Sequence, residues 1–435
     1  MLIPSRHLGT LAYAIVFAAI ISSVWTEFLQ PILLIAVLIG IVSAIDGLAA
    51  IRKAEPTASR TIAASLPLGV QHEVVLRLHN NAAQTLQVEV FDHYPDGVVV
   101  ENQPQTLTLP KGGWAEVRYT LFPLQRGDLR FEHLAIRIQS PLRLWQMQRR
   151  LPLASHTRVY PNFAALTKFA LLATDHRLSQ IGVLQRRRRG EGLDFHQLRE
   201  YREGDSQRQI DWKASARMHK FVSREYQDER DQQIVLLIDC GRRMAAKDDA
   251  LSHFDHVLNA ALLLAYVSLR QGDAVGLATM SGPQRWIAPR KSRATIDLIL
   301  NSVYDLQPTH AATDYYTAAV ELMKRLRKRA LVVVLSNMRD EDDDTLSPAL
   351  QLLQSRHLVL FASLREGVLG RALSSQVDNL DRALTHAATA SYLQHRELSF
   401  KRLSHHGAVC LDVEPAALPI ALVNRYLDIK RTGRL

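Results

Sequence analysis

Two long apolar runs without a charged residue limit what this chain can fold into. Residues Leu8–Trp25 read LGTLAYAIVFAAIISSVW, and residues Phe28–Ile45 read FLQPILLIAVLIGIVSAI. Each run has about the length that a helix needs to cross the hydrocarbon core of a bilayer. Two buried helices of a soluble core are the alternative, but adjacent charge-free runs of this length are rare in such cores. The runs predict a two-helix transmembrane hairpin that turns at Thr26–Glu27.

Basic residues at the ends of the hairpin predict its orientation. Arg6 and His7 precede the first run, and Arg52, Lys53 and Arg60 follow the second. The positive-inside rule then places both ends of the hairpin in the cytoplasm. The rest of the chain, and with it the C-terminus, is expected on the same side of the membrane.

Charge and cysteine content narrow the classes of partner. The 435 residues include 53 basic and 43 acidic side chains, for a net charge of +10, and the two signs are interspersed. The basic run Arg186–Arg189 is interpreted either as an anion-binding element or as a solvated linker. No aromatic residues interleave with it, so nucleic acid is not expected as a partner. Cys240 and Cys410 are expected to be reduced thiols of a cytoplasmic protein.

The segment that follows the hairpin has the pattern of β-structure. Apolar and polar residues alternate in runs such as HEVVLRLHN at His72–Asn80 and WAEVRYTLFPL at Trp114–Leu124. Turn signals such as Pro95–Gly97 and Arg126–Asp128 separate these runs. Short alternating strands at this spacing predict an immunoglobulin-like β-sandwich over residues 55–163. No catalytic grouping is found in it.

From Gln233 onward, apolar strand-like runs alternate with amphipathic helical runs. IVLLID at Ile234–Asp239 and ALVVVLSN at Ala330–Asn337 are the clearest strands, and Phe254–Asp273 is the clearest helix. Wholly apolar strands between helices predict a Rossmann-like α/β domain whose parallel sheet is covered on both faces. Ligand sites in such sheets lie at the carboxyl ends of the strands, where Asp239 and Ser336–Asn337 stand.

The densest polar stretch of the chain runs from Leu198 to Arg230. The overlapping segment 190–217 reads GEGLDFHQLREYREGDSQRQIDWKASAR, and we call it the signature segment. It is interpreted as a structural hinge or docking surface, in which arginine side chains fork onto carboxylates while Tyr201 and Trp212 bury their rings. An enzyme would instead use Asp205 and Asp211 as an acid–base pair. The residues that stand out in the segment are Arg199, Tyr201, Gly204, Asp205, Arg208, Asp211, Trp212, Ser215 and Arg217.

These strings resemble one bacterial family, the domain of unknown function fifty-eight (DUF58) family. The resemblance rests on the signature segment, on SPLRLW at Ser140–Trp145 and on the run Val222–Cys240 (VSREYQDERDQQIVLLIDC) that enters the first sheet strand. It implies an inner-membrane anchor and a von Willebrand factor A-like domain. It also implies a non-enzymatic adaptor that works with a MoxR-type AAA+ ATPase in chaperone-like or envelope-related assembly.

The resemblance also raises the question of a metal. A von Willebrand A domain binds a divalent ion with Asp-x-Ser-x-Ser, a Thr on a second loop and an Asp on a third. The corresponding positions in this chain are Asp239, Gly241, Arg243, Thr313 and Asn337. Because three of the five have lost the usual residue type, we expect that no Mg²⁺ binds and that Arg243 takes its place, paired with Asp239 or with a partner's carboxylate. No other cofactor is expected, although His253 and His256 share a helical face.

Together these features predict a multidomain membrane protein. Its segments are a transmembrane hairpin over 1–54, the β-sandwich over 55–163, a signature connector over 164–232 and the α/β domain over 233–435. The expected function is protein–protein interaction at the membrane with a AAA+ ATPase. Two alternatives stay open: a membrane-tethered hydrolase that uses Asp205 and Asp211, and an anion-binding module that uses Arg186–Arg189.

Overall fold

The chain forms two compact units, Met1–Tyr160 and Pro161–Leu435, and both mix helices with β-sheets. This confirms a multidomain architecture of helices and strands. The four finer segments drawn from the sequence stay predictions. The computed structural model describes residues 1–22, 29–52, 55–162, 194–202, 210–227, 232–248, 251–339 and 342–433.

The first unit contains two mainly antiparallel sheets. One has the strand order β1-β10-β9-β5-β7, with β3 pairing parallel to β10, and the other has the order β2-β4-β8-β6. The strands are β1 Leu2–Pro4, β2 Thr57–Thr61, β3 Ser65–Pro67, β4 His72–His79, β5 Leu86–Asp92, β6 Val98–Glu101, β7 Gln105–Leu109, β8 Trp114–Pro123, β9 Gly127–Gln139 and β10 Trp145–Tyr160.

The period-two pattern of the sequence explains how these strands make a core. In β4, Val74, Leu76 and Leu78 are fully buried, and the residues between them are exposed or half-buried. In β5, Leu86 and Val88 are buried in the same way. Successive side chains on a strand point to opposite faces, so each strand turns one apolar face inward.

A buried ion pair ties the two sheets of the first unit together. The Arg60 guanidinium, on β2, donates to the Asp92 carboxylate, on β5, with an Nε–Oδ2 distance of 2.8 Å. The Tyr119 hydroxyl, on β8, donates to the same carboxylate at 2.6 Å. Both charged side chains are fully buried, so each charge depends on the other for compensation.

Two apolar helices, α1 Arg6–Ser22 and α2 Leu29–Ile51, complete the first unit. The span Gln30–Ile51 is long and apolar enough to cross a membrane, and α1 is an apolar helix of shorter length. Helix α2 continues six residues past Ile45, the last residue of the charge-free run, through a buried Asp46. The predicted turn at Thr26–Glu27 lies outside the described residues.

The second unit is built on a mostly parallel sheet. The strands of the second unit are β11 Asp194–Glu200, β12 Val222–Gln227, β13 Gln233–Asp239, β14 Ala274–Met280, β15 Trp286–Arg290, β16 Leu331–Ser336, β17 Leu358–Leu364 and β18 Val409–Val413. Its helices are α3 Trp212–Met218, α4 His253–Arg270, α5 Ala294–Val303, α6 Tyr315–Arg325, α7 Asp343–Gln354, α8 Gly367–Ser374, α9 Leu380–His405 and α10 Leu418–Arg431, with short 3₁₀ turns at Arg242–Ala245 and Pro415–Ala417.

The main sheet has the order β15-β14-β13-β16-β17-β18, and it is parallel except for the edge strand β15. Alternate residues of β13 enter two separate cores. Ile234 and Leu236 pack in one core with residues of α4, and Val235 and Leu237 pack in the other with residues of α6 and α7. Burial on both faces explains why these strands are wholly apolar. The strands β11 and β12 form a separate antiparallel pair.

The sequence pattern does not predict the long helix α9. Its buried residues are Thr389, Arg396, Ser399 and Leu403, so three of the four are polar. A helix whose inner face is polar lacks the apolar stripe by which a helix is recognised. Arg396 supplies the reason, because its buried guanidinium donates to the Ser363 hydroxyl, the Leu364 carbonyl and the Asp412 carboxylate.

We expect Asp92→Ala to destabilise the first unit strongly, because it leaves the Arg60 charge buried and unpaired. The expected loss in free energy of unfolding is about 3–5 kcal/mol. Urea unfolding of the detergent-solubilised protein, followed by tryptophan fluorescence, measures it. Glu116→Ala is the matched control, since its partner Arg77 has 57% side-chain exposure. Equal losses in the two variants would contradict the assignment of the Arg60 pair as a main tie.

Candidate functional site

The Asp239 carboxylate lies at the carboxyl edge of the main sheet, at the end of β13, and is fully buried. It accepts three hydrogen bonds from its own chain. The Gly241 N–H donates to Oδ1 at 2.8 Å, and the hydroxyls of Thr313 and Ser336 donate to Oδ2 at 2.9 and 2.6 Å. The Tyr315 hydroxyl contacts the Ser336 hydroxyl at 2.8 Å and extends the network inward.

We call the cluster of Asp239, Gly241, Thr313 and Ser336 the Asp239 vertex, and burial sets its electrostatics. Removal from water raises the pKa of Asp239, and the hydrogen bonds from Ser336, Gly241 and Thr313 only partly oppose that shift. The same burial, with the Asp239 charge nearby, raises the pKa of Tyr315 well above its usual value.

The loop after β13 has no room for the first hydroxyl that a von Willebrand A metal site uses. A Cβ atom at Gly241 would lie 2.7 Å from the Thr313 hydroxyl oxygen and 3.0 Å from Asp239 Oδ1. A serine here would have to displace Thr313 from the carboxylate. Glycine is thus required by the approach of Thr313.

Arg243 does not pair with Asp239, and that expectation is wrong. Its guanidinium forms an ion pair with the Asp342 carboxylate, and both side chains are nearly buried. Asp342 also accepts the Arg339 N–H at 2.9 Å. The sequence offered a signal for this partner in the acidic run 340–344, but it did not say which carboxylate would turn inward.

Asn337 lies beside the vertex but is not part of it. Its amide nitrogen is 3.4 Å from His253 Nδ1 and 3.3 Å from Glu366 Oε1, and Ser336 occupies the place at Asp239 that the third-loop residue was expected to take. Adjacent residues of an extended chain point to opposite sides, so an offset of one residue moves the functional group away.

A second polar cluster surrounds His253, which is buried. His253 Nε2 lies 3.1 Å from the Asp248 carboxylate, while its Nδ1 faces the Asn337 amide. The imidazole ring therefore bridges the Asp248 carboxylate and the Asn337 amide. Burial raises the pKa of Asp248, but the hydrogen bonds from the Gly367 N–H and His253 outweigh it and leave that pKa lowered.

The donor sets of these two clusters do not fit a resident divalent cation. Within the described ranges, no group of three or more His, Cys, Asp or Glu side chains could hold a metal ion. At the vertex Asp239 is the one carboxylate, and the hydroxyls of Thr313 and Ser336 point their hydrogens at it. Mg²⁺ and Ca²⁺ need several converging oxygen lone pairs, which this arrangement does not supply.

Part of the signature segment forms a small scaffold of β11, α3 and β12. Asp211 caps α3 by accepting the N–H groups of Lys213 and Ala214, each at 3.0 Å. The Ser215 hydroxyl accepts the Val222 N–H at 2.9 Å and ties α3 to β12. Gly204, Asp205, Arg208 and the run Arg186–Arg189 lie outside the described residues. Asp211 therefore has a structural role as an N-cap.

An aromatic patch, defined as Tyr201, Trp212 and Phe221, stands on this scaffold. The Trp212 and Phe221 rings meet edge to face at 6.4 Å, and the Tyr201 and Phe221 rings meet at 6.3 Å. Trp212 is 66% exposed and Phe221 60%, so the expectation that Trp212 buries a broad face is wrong. Helix α3 has no buried residue at all, and Arg217 on it is exposed.

The remaining signature arginine has local contacts. Arg199 donates to the Glu200 backbone carbonyl at 3.1 Å, and Lys220 forms a solvent-exposed ion pair with the Glu200 carboxylate at 3.7 Å.

Cys240 and Cys410 are both free thiols, and Cys240 is buried.

Stability should depend on pH through Asp239. Because its pKa is raised in the folded state, the folded protein retains this proton over a pH range in which the unfolded chain has lost it. The free energy of unfolding therefore falls as pH rises above the usual aspartate pKa of about 3.9. Urea unfolding at a series of pH values should show wild type losing stability relative to Asp239→Asn, with exposed Asp297→Asn as control. The prediction would be contradicted if the free energy of unfolding of wild type rose with pH relative to that of Asp239→Asn.

Calorimetric titration of Mg²⁺ into the detergent-solubilised protein should give no binding heat up to millimolar concentrations. The physical reason is that the oxygens of Asp239 already accept hydrogen bonds from Gly241, Thr313 and Ser336, and that no second carboxylate of the described residues joins it there. Binding that Asp239→Asn abolishes would overturn this expectation.

No curated protein matches the chain. Several solved structures are similar to parts of it. An aerotolerance-related membrane protein from Bacteroides fragilis is 13% identical over 45% of this chain and 98% of that one, with a TM-score of 0.28. Salmonella alpha-2-macroglobulin is 15% identical over 24% of this chain, with a TM-score of 0.20, and the match spans only 7% of its length. A CARDB domain from Pyrococcus furiosus is 10% identical over 24% of this chain and 93% of that one, with a TM-score of 0.16.

All three TM-scores lie below 0.5, so these likenesses do not bear on the fold or function of the chain. The family comparison is informative, because residues 197–369 match the family described as "Protein of unknown function DUF58". The matched span contains most of the signature segment, the Asp239 vertex and the His253 cluster. The resemblance seen in the sequence is confirmed over these residues, which match the DUF58 family.

Proposed function

We propose that this chain is a non-enzymatic, membrane-anchored interaction protein of the bacterial inner membrane, and that its partner is a MoxR-type AAA+ ATPase. Its second unit is a von Willebrand A-like domain without a working metal site. The aromatic patch is the docking surface. The assembly serves chaperone-like or envelope-related work.

The anchor is a two-pass hairpin with both ends in the cytoplasm. The helix Gln30–Ile51 supports this by length and composition. The start of α1 and the end of α2 are also held by one turn of the first unit, since Ser5 donates to the Arg143 carbonyl and Asp46 accepts the Leu142 N–H. Two apolar helices whose outer ends meet at one point fit a hairpin that leaves and re-enters the same face of a membrane.

The von Willebrand A-like assignment of the second unit is supported by its parallel sheet and by Asp239 at the end of a central strand. In open α/β sheets this edge is where ligands bind. Here the vertex is satisfied by hydroxyls of the same chain, so it favours a binding role for other surfaces of the unit.

The observation that carries the proposal is the exposure of Trp212, in the signature segment, and of Phe221, just after it. Large aromatic side chains on a surface are the residues that contribute most to protein–protein affinity when a partner covers them. The Asp211 cap and the tie from Ser215 to Val222 hold α3 in place without burying any of its side chains. The scaffold thus presents the aromatic rings outward, which a purely structural brace does not require.

The hydrolase alternative loses support at Asp211, because both N–H groups of the α3 cap use its Oδ1. A residual activity lost in Asp205→Asn and Asp211→Asn would restore it. The anion-binding alternative rests on Arg186–Arg189 and stays a prediction. Steep salt dependence of liposome binding would favour it.

The proposal is tested by capturing the full-length protein from detergent-solubilised native membranes and cytosol, with and without a slowly hydrolysed ATP analogue. We expect nucleotide-dependent recovery of a AAA+ ATPase. Trp212→Ala and Phe221→Ala should each lower that recovery about tenfold or more, because truncated interface aromatics cost on this scale. Their unfolding midpoints should stay unchanged, since the rings are exposed.

Trp114→Ala is the matched control, because Trp114 is also an exposed tryptophan, at 55%, but lies in the first unit. It should leave ATPase recovery unchanged. If the wild-type protein captured no AAA+ ATPase, with or without the ATP analogue, the proposed partner would be wrong. Recovery that is insensitive to Trp212→Ala and Phe221→Ala would sink the patch as the docking surface.

A further inference from the structure

A turn of the first unit is fastened to the end of helix α2 by a buried carboxylate. Asp46, 3% exposed, accepts hydrogen bonds from the Ser140 hydroxyl and from the N–H groups of Leu142 and Leu144. The Trp145 indole N–H donates to the Ser43 carbonyl at 2.8 Å, one helical turn earlier. The SPLRLW string at 140–145 is therefore built against the helix.

The same turn is held from the N-terminal side. The Ser5 hydroxyl donates to the Arg143 carbonyl at 2.6 Å, and the Ser5 N–H donates to the Leu144 carbonyl at 2.9 Å. The strand β1 pairs with the beginning of β10, with Leu2 opposite Met147. The beginning of α1 and the end of α2 are thus fixed to one short turn.

The helix sets the depth of this turn. From Gln30 to Asp46 the helix rises roughly 24 Å at 1.5 Å per residue. The hydrocarbon core of a bilayer is about 30 Å thick. Asp46, and the turn that binds it, therefore come at the edge of the hydrocarbon core when α2 crosses it. A carboxylate is tolerated at this depth because the turn supplies its hydrogen bonds.

The outward face of the turn has the chemistry of a lipid contact. Leu142 is 57% exposed at its tip. Arg143 beside it, Arg6 after Ser5, and Arg52 at the end of α2 are all exposed. Within the part of the chain that the structure describes, none of these three guanidinium groups forms an ion pair, whereas Arg149 nearby pairs with Glu55. An apolar tip can contact the acyl chains of a bilayer, while the cationic groups beside it contact the anionic headgroups above them.

We propose that the turn 140–143 is a lipid-binding element, in which Leu142 enters the acyl-chain boundary and Arg6, Arg52 and Arg143 bind the phosphates of anionic phospholipids. The inference rests on the membrane anchoring proposed above and assigns it a lipid class. It makes the turn a second membrane contact that fixes how the first unit stands on the bilayer.

The test uses the full-length protein in vesicles of phosphatidylcholine that contain brominated phosphatidylcholine or brominated phosphatidylglycerol. An environment-sensitive fluorophore is attached at Leu142→Cys in a Cys410→Ser background, since Cys240 is buried. Leu124→Cys is the matched control, because Leu124 is an exposed leucine beyond the opposite end of β9. Leu38→Cys, in the middle of α2, reports the anchor itself.

We expect brominated lipid to quench the probe at 142 but not at 124, and brominated phosphatidylglycerol to quench it several-fold more than brominated phosphatidylcholine. The combined change Arg6→Gln, Arg52→Gln and Arg143→Asn should abolish that preference. Asparagine is used at 143 because the residue has a positive φ of 60°, which asparagine tolerates.

Three results would overturn the inference. Quenching at 38 with none at 142 would leave the anchor standing and remove the lipid contact of the turn. Quenching at 142 without a preference for phosphatidylglycerol, or with a preference that survives the arginine changes, would remove the assignment to anionic lipid. Absence of quenching at both 38 and 142 would reject the proposed membrane anchoring as well.

Discussion

A carboxylate that leaves water must receive hydrogen bonds from the protein, and this requirement shapes both units of the chain. In the first unit, Asp46 lies on an apolar helix and takes its donors from the turn at Ser140, far along the sequence. In the second, Asp239 ends a strand and takes hydroxyl donors from Thr313 on a loop and from Ser336 at the end of β16. Apolar packing is non-directional, whereas these bonds hold segments in one register. The buried acids thus fix contacts that hydrophobic burial alone leaves free.

The same requirement decides what the Asp239 vertex can do. A cation would need several converging carboxylate or carbonyl oxygens. Among the described residues Asp239 is the one carboxylate at the vertex, and the approach of Thr313 leaves no room for a side chain at Gly241. Arg243 is compensated by Asp342 and does not face the vertex carboxylate as a counter-ion. At this edge of the sheet, the Asp239 carboxylate thus takes its hydrogen bonds from Gly241, Thr313 and Ser336 of the same chain.

How far the sequence predicts this protein depends on the range of the interactions involved. Strands such as β4 and β13 follow from local apolar patterns, because burial on one face or two leaves a period that can be read directly. Helix α9 does not, since its inner face is organised by Arg396, whose partners lie on distant strands. At the vertex, the sequence places both Ser336 and Asn337 at the sheet edge, and the alternation of side chains along the strand turns Ser336, and not Asn337, toward Asp239.

In and just after the signature segment, some residues stabilise the backbone and others are exposed without a structural role. Asp211 and Ser215 use their oxygens to cap and tie α3, so their fixed spacing is explained by the backbone. Trp212 and Phe221 are not explained that way, because exposing large rings forgoes the stabilisation that burial would give. Edge-to-face contact holds the two rings against each other, which limits the rotamers that each can adopt. A partner that covers them would lose little side-chain entropy, so a small rigid scaffold with outward aromatic rings is well suited to reversible docking.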